Sequence, residues 1–222
     1  HLEEQYSNEV LGQDFNVLMG DEPGIEALNL AAGTYDITEL TDMADYVYDA
    51  ESLRTLAGKK YHKKKNHVNA FLKEYEGRYE YRALTPADKG TIWQFLNRWE
   101  NGKSDDVGQH LEGEIVGIHE LLNNLDKINA KIAGVFIDGQ LEAFTVGSYN
   151  PTDRMAVIHI EKANADIRGL YTFINQQFLV HEFADAVLVN REDDVGMEAL
   201  RKAKQSYHPI MMVRKFSMQQ KR

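Results

Sequence analysis

His159 and Glu161 stand two residues apart at the end of an apolar run that begins at Met155. On a regular strand the period of two would aim both side chains to one face. The chain then passes through Ala163-Asn164-Ala165-Asp166-Ile167-Arg168-Gly169 into a stretch with helical spacing. A strand-to-helix turn presents backbone amides that can hold an anion, a pyrophosphate above all. Ala165, Asp166, Ile167, Arg168 and Gly169 are therefore candidate cofactor contacts. Arg168 would add charge and Gly169 would allow close approach. Asp166 reads two ways, as a helix cap or as a group that repels phosphate.

A second concentration of charge follows a short apolar segment: Asn190-Arg191-Glu192-Asp193-Asp194. Residues at the carboxyl end of a strand often line the cleft of an open α/β sheet. His159, Arg191, Glu192 and Asp193 are thus candidate substrate contacts, with Asn190 on the cofactor side. The alternative is a solvated loop with an acidic helix cap. Three adjacent acids do not make a convincing metal cage, and no metal site is expected. Tyr207, near the end of a helix stopped by Pro209, can donate a proton to a leaving group or pack in the core. Lys59, Lys60, Lys63, Lys64 and Lys65 form a basic run that suits RNA, anionic lipid or a cofactor phosphate, or serves as the wet face of a helix.

The elements that must position these residues are legible from periodicity. Residues 50–74 read as one helix, with Leu53, Leu56, Val68, Phe71 and Leu72 apolar. Tyr79, Tyr81 and Ala83 alternate as on a strand. Pro86 and Asp88 precede a helix striped by Ile92, Phe95, Leu96 and Trp99, and another runs from about 107 to 125. Trp93 and Trp99, six apart, fall on different helix faces. The segment 101–106 is a polar loop. Ile132–Ile137 and Leu141–Tyr149 flank Asp138-Gly139, a strong hairpin signal. The series continues with a strand at 155–160, a helix through Ile167–Phe178, a strand at 186–190, a helix at 196–205 and a strand at 210–216. This β-β-β-α-β-α-β order implies a mixed sheet with flanking helices, right-handed at each crossover if its strands pair in parallel. The first 50 residues are acidic and mixed, with turn signals at Asp21–Gly24 and Gly33–Asp36.

The 222 residues, 43% of them hydrophobic, suffice for one sizeable core or two modest ones. The absence of cysteine removes disulfides and thiolate chemistry and fits a cytoplasmic protein. No apolar run is long enough to span a bilayer, although the basic run is compatible with peripheral contact. The net charge of -10 argues against broad nucleic-acid binding and confines such contact to the lysines. The start at His1 shows no leader and reads as a processed boundary.

Two segments carry a resemblance. GKKYHKKKNHVNAF, from Gly58 to Phe71, and NREDDVGMEALRKAKQSY, from Asn190 to Tyr207, resemble motifs of an uncharacterised bacterial family. That family looks like the C-terminal domain of phosphatidylglycerol lysyltransferases, in the GCN5-related N-acetyltransferase (GNAT)-like fold group and its Fem-like aminoacyl-transferring branch. Asp45-Tyr46-Val47-Tyr48 fits the approach to the first motif, so the resemblance covers about 45–218. It implies an α/β (α+β) GNAT-like mixed sheet at 79–222. A partial first copy would lie at 1–78, lacking its opening part.

By the same resemblance the 163–169 turn would bind the donor pyrophosphate, Glu161 would be the base and Tyr207 would protonate the leaving group. Only Gly169 remains of the two glycines expected for coenzyme A. The function implied is N-acyl transfer from acyl-CoA, such as acetyl-CoA, to a small-molecule amine. One alternative is an aminoacyl-tRNA-dependent transfer to a lipid headgroup or peptide, in which the lysines at 59–65 contact tRNA. Another is a noncatalytic binding or regulatory module. Direct transfer from an activated ester or thioester needs positioning, a base and oxyanion stabilisation, so no serine–histidine–acid set is required.

Overall fold

In the computed structural model, residues 16–27, 35–101, 108–124 and 127–221 are described. The strands are β1 (Asn16–Asp21), β2 (Tyr35–Glu39), β3 (Asp45–Asp49), β4 (Tyr79–Ala83), β5 (Ala130–Ile137), β6 (Gln140–Asn150), β7 (Met155–Ala163), β8 (Leu188–Asn190), β9 (Met211–Val213) and β10 (Lys215–Gln220). The helices are α1 (Glu22–Ala27), α2 (Ala50–Thr55), α3 (His62–Glu74), α4 (Lys89–Asn101), α5 (Gly108–Asn123), α6 (Leu170–His181) and α7 (Glu198–Gln205). The chain divides into two compact units, residues 49–190 and residues 1–48 with 191–222. The polar loop expected at 101–106 falls largely outside the described residues, as do Gly33 and Thr34 of the turn expected at Gly33–Asp36, whose Tyr35 and Asp36 begin β2.

In the 49–190 unit the strands run in the order β4-β5-β6-β7-β8, antiparallel until the last pair, where β8 joins β7 in parallel. The mixed sheet with flanking helices is therefore present. Asp138 and Gly139 form the expected two-residue hairpin, both with the positive φ that such a turn needs, 50° and 82°. A Thr85–Asp88 capping box with Pro86 just inside starts the turn that leads into α4. The α4 stripe Ile92, Phe95, Leu96 and Trp99 then packs with Ile118 and Leu122 of α5 on Ile132, Phe136, Leu141, Phe144, Val146 and Ile160. Burying each large apolar side chain there contributes about 1.5–3 kcal/mol. Trp93 is only partly buried, and its ring stacks on that of His119.

Helices α2, α3 and α6 take the opposite face, where Phe71, Tyr79 and Phe173 form an aromatic cluster. Residues 50–74 do not form one helix. Asp49 caps α2 by accepting from the Ser52 amide at 2.7 Å, and the helix closes at Leu56 in the left-handed region, with φ 48°. Gly58, at φ 88°, and a 3-10 turn at Lys59–Tyr61 then restart the chain into α3. The buried side chains of Leu56 and Tyr61 hold this break, which helical spacing alone does not reveal.

In the other unit β10 lies between β1 and β2, and β3 pairs with β9. The strand expected at 210–216 is two strands. The chain turns at Arg214, whose guanidinium grips Glu39 through two hydrogen bonds of 2.9 and 2.8 Å and reaches Glu22 at 3.0 Å. The turn expected at Asp21–Gly24 begins α1, where the Asp21 carboxylate accepts from the Gly24 amide at 2.9 Å.

Candidate active site

Two β-bulges decide where the polar side chains of the 49–190 sheet point. Val146 pairs with Ile160 but Gly147 pairs with Ile158, so His159 is an extra residue in β7. The bulge breaks the alternation. Nε2 of His159 lies 2.8 Å from the Ser148 hydroxyl and the side chain is exposed. Glu161 points instead toward α6, where it accepts from the buried Asn175 amide at 2.8 Å. The expected shared face of His159 and Glu161 is therefore absent, because the extra residue rotates one relative to the other.

The second bulge lies in β6. Val135 pairs with Ala143 and Phe136 with Leu141, which leaves Glu142 surplus. Its carboxylate, in a residue 8% exposed, accepts from the side-chain amides of Gln140 at 2.5 Å and Asn164 at 2.9 Å. Glu142 borders a cavity of about 320 Å³ with Phe95, Arg98 and Trp99 of α4 and the start of the turn after β7. None of Gln140, Glu142 and Arg98 stands out by motif. The available signal was a carboxylate interrupting the apolar strand Leu141–Val146.

The 163–169 turn is tightly engaged. The Asn164 side chain accepts from the Asp166 amide at 3.1 Å, the Ile167 amide donates to the Asn164 carbonyl at 3.3 Å, and the Leu170 amide to the Ile167 carbonyl at 3.2 Å. Two amides of the expected anion cradle, those of Asp166 and Ile167, are thus used inside the turn. Gly169, at φ 86°, precedes α6, and a methyl group there would collide with the His67 carbonyl oxygen of α3. Its role in the fold is close helix approach. Ala165 and Asp166 line the cavity, and Asp166 makes no cap at α6. Ile167 is half-buried and lies in the turn, before the helix begins. Arg168 is exposed and, with Lys63 and Lys64, acts on His67, whose imidazole is held below its usual range first by burial and then by these cations. Arg168 of the turn and Lys63 and Lys64 of α3 thus all lie within electrostatic reach of His67. Lys59, Lys60 and Lys65 are exposed as well.

Strand β8 pairs with β7 only at Met155–Val157, Asn190 lying opposite Val157. Beyond Val157, among the described residues, no strand covers that edge of β7 within the unit, and the uncovered segment includes Glu161.

In the other unit Asp194, 3% exposed, accepts from Nε and an Nη of Arg201 at 2.9 Å each, from the Tyr46 hydroxyl at 2.6 Å and from the Gly196 amide at 3.0 Å. The Arg201 hydrogen bonds chiefly, against the cost of burial, hold its carboxyl at about 2. Burial and this carboxylate push the Tyr46 phenol up. The buried Lys204 ammonium donates to the carbonyls of Arg191 and Glu192, and Lys215 approaches Asp193 to 3.7 Å. Tyr207 is buried, and the Arg191 guanidinium lies 4.7 Å from its ring centre. Among the described residues no three His, Asp or Glu side chains gather in a way that could hold a metal ion. None of the helices there is long and apolar enough to cross a membrane.

A mixed sheet with helices on both faces, its last strand joined in parallel, defines an α/β fold. The family described as phosphatidylglycerol lysyltransferase, C-terminal, matches residues 14–219, and the chain belongs to it. The chain is similar to a conserved protein of unknown function from Bacteroides thetaiotaomicron, at 29% identity and a TM-score of 0.89, over 99% of this chain and 73% of that one. It also resembles the L-PGS structure from Bacillus licheniformis, at 15% identity and a TM-score of 0.68, over 99% and 71% of the two chains; this likeness is one of fold. An uncharacterized protein of Mycoplasmoides gallisepticum is 26% identical over 202 residues, 90% of this chain. The match spans 64% of that curated relative's length.

Proposed function

We propose that this chain carries an acyl-transfer domain that moves an aminoacyl group from aminoacyl-tRNA to a nucleophile on an anionic lipid headgroup or a small amine. The observation that carries the reading is the uncovered edge of β7 beyond Val157, with Glu161 in that segment and fixed by Asn175. Membership of the lysyltransferase family supports it. In the reaction the nucleophile's nitrogen or oxygen bonds to the acyl carbon and gives its proton to Glu161. The ester bond to the ribose oxygen breaks, and that oxygen leaves taking up a proton from water. The amides along the edge of β7 are the candidate oxyanion donors. Arg168, Lys63 and Lys64 would meet the phosphates of the nucleic acid.

Transfer from acyl-CoA to an amine is the second reading, favoured by the segment of β7 left uncovered beyond Val157, along which a pantetheine arm would lie. The occupied amides of the turn and the packing of Gly169 weigh against a pyrophosphate there.

The test incubates the 222-residue chain with radiolabelled lysyl-tRNA and phosphatidylglycerol vesicles, and in parallel titrates acetyl-CoA calorimetrically with CoA as control. Label entering the lipid fraction, reduced about 100-fold or more in Glu161→Gln, is the expected result. Saturable acetyl-CoA binding without lipid labelling would replace the first reading by the second. Inactivity of the folded chain with both donors would leave the regulatory-module alternative.

A further inference from the structure

We infer that the cavity beneath α4 is a binding site for a small primary alkylammonium ion, with Glu142 as its counterion. The inference does not rest on the transfer reading, because Glu161 faces α6 whereas this cavity is lined by α4.

Glu142 is costly to bury. A carboxylate taken out of water needs hydrogen bonds and, to offset its charge, a cation. Glu142 has the hydrogen bonds, but both come from neutral amides, of Gln140 and Asn164. No ion pair with Glu142 occurs among the described residues.

Among the lining residues two carboxylates stand beside one cation, with the Lys162 ammonium against the ring of Trp99. Glu142 and Asp166 face one cation, Arg98. That guanidinium is directed to backbone carbonyls, donating to Leu141 at 2.7 Å and Gln94 at 3.3 Å. An incoming anion would meet two carboxylates and an arginine already engaged. A cation would meet a buried carboxylate, a second one at the rim and two aromatic rings, Phe95 and Trp99.

Those rings also set the ligand's other end. Aromatic faces attract ammonium groups and pack alkyl chains. The Lys162 ammonium, 4.5 Å from the Trp99 ring centre, shows that this ring can take an alkylammonium group. A cavity of about 320 Å³ is at the small end of ligand sites and suits a short alkyl chain, not a nucleotide.

Trp99 supplies its own reporter, because its indole N–H donates to the Ala163 carbonyl at 3.2 Å, next to the turn that lines the cavity. In ¹⁵N-labelled protein carrying Trp93→Phe, the single remaining indole resonance belongs to Trp99. Titration with n-butylammonium chloride at constant ionic strength is expected to shift it saturably, while n-butanol and sodium butyrate leave it in place. Glu142→Gln should weaken the response at least tenfold, and Asp166→Asn, at an exposed position, a few-fold. If Glu142→Gln does not fold, Asp166→Asn decides. A shift by butanol equal to that by butylammonium would overturn charge recognition. No saturable shift in the parent, or affinity unchanged in the deciding variant, would overturn the site.

Discussion

The turn after β7 and the loop after β8 leave neighbouring parallel strands, and both attract attention in the sequence for the same reason: charge at the carboxyl end of a strand. Their chemistry is opposite. In the loop, Asp194 is saturated by Arg201, Tyr46 and the Gly196 amide, and Lys204 fastens the carbonyls of Arg191 and Glu192. In the turn, side-chain amides do the fastening, Gly169 wedges the chain against α3, and a cavity opens beside an unpaired buried carboxylate. Density of charge in the sequence therefore marks the locked region. The open one is marked by a single carboxylate within an apolar strand.

The contrast can be broken most forcefully at Gly169. Gly169→Ala places a methyl group on a backbone carbonyl at a positive φ, and the expected loss is about 3 kcal/mol of stability by urea unfolding. A loss below half that would mean that α3 is not pinned to the turn. Asp194→Asn removes the charge-assisted bonds to Arg201 and should cost on the order of 2 kcal/mol, read from the same midpoint shift. An unchanged midpoint would mean that the loop is not locked by this residue.

The pH dependence has a definite sign. The folded Asp194 carboxyl titrates at about 2, below the 3.8 of an ordinary aspartate. Its contribution is full above pH 4 and disappears as the pH falls toward 2. The parent should lose stability over that window more steeply than Asp194→Asn, and parallel curves would remove Asp194 as the cause. The smallest effect is expected at Asn164→Ala, which deletes one bond to Glu142 and one to the Asp166 amide, about 1 kcal/mol. A cost as large as that at Asp194 would erase the distinction between the two regions.

Elements whose identity is local were legible in the sequence. The Asp138-Gly139 hairpin, the α4 stripe behind Pro86 and the strand–helix alternation after residue 130 follow from turn chemistry and periodicity. Features set by tertiary contact were not. The break at Leu56–Gly58 keeps both flanking apolar stripes, and Arg214 interrupts a run of strand-like residues through ion pairs with Glu22 and Glu39, 192 and 175 positions away in sequence. The face of His159 was misread for a similar reason, since a bulge depends on the register of the partner strand. Glu161 gained its Asn175 partner from a helix whose start the sequence placed too early, at Ile167. Glu142 escaped altogether, because period-two reasoning has no place for a surplus residue.

That surplus has a consequence for chain length. Removing Glu142 would let Leu141 and Ala143 follow one another opposite Phe136 and Val135, an uninterrupted ladder with every core residue still on its own side. The extra residue serves the turn after β7 instead, its carbonyl accepting from the Asn164 amide at 2.9 Å and its carboxylate from the Asn164 side chain. A chain one residue shorter would keep the hairpin but lose this hold on the turn, and the cavity beneath α4 would lose its one buried carboxylate.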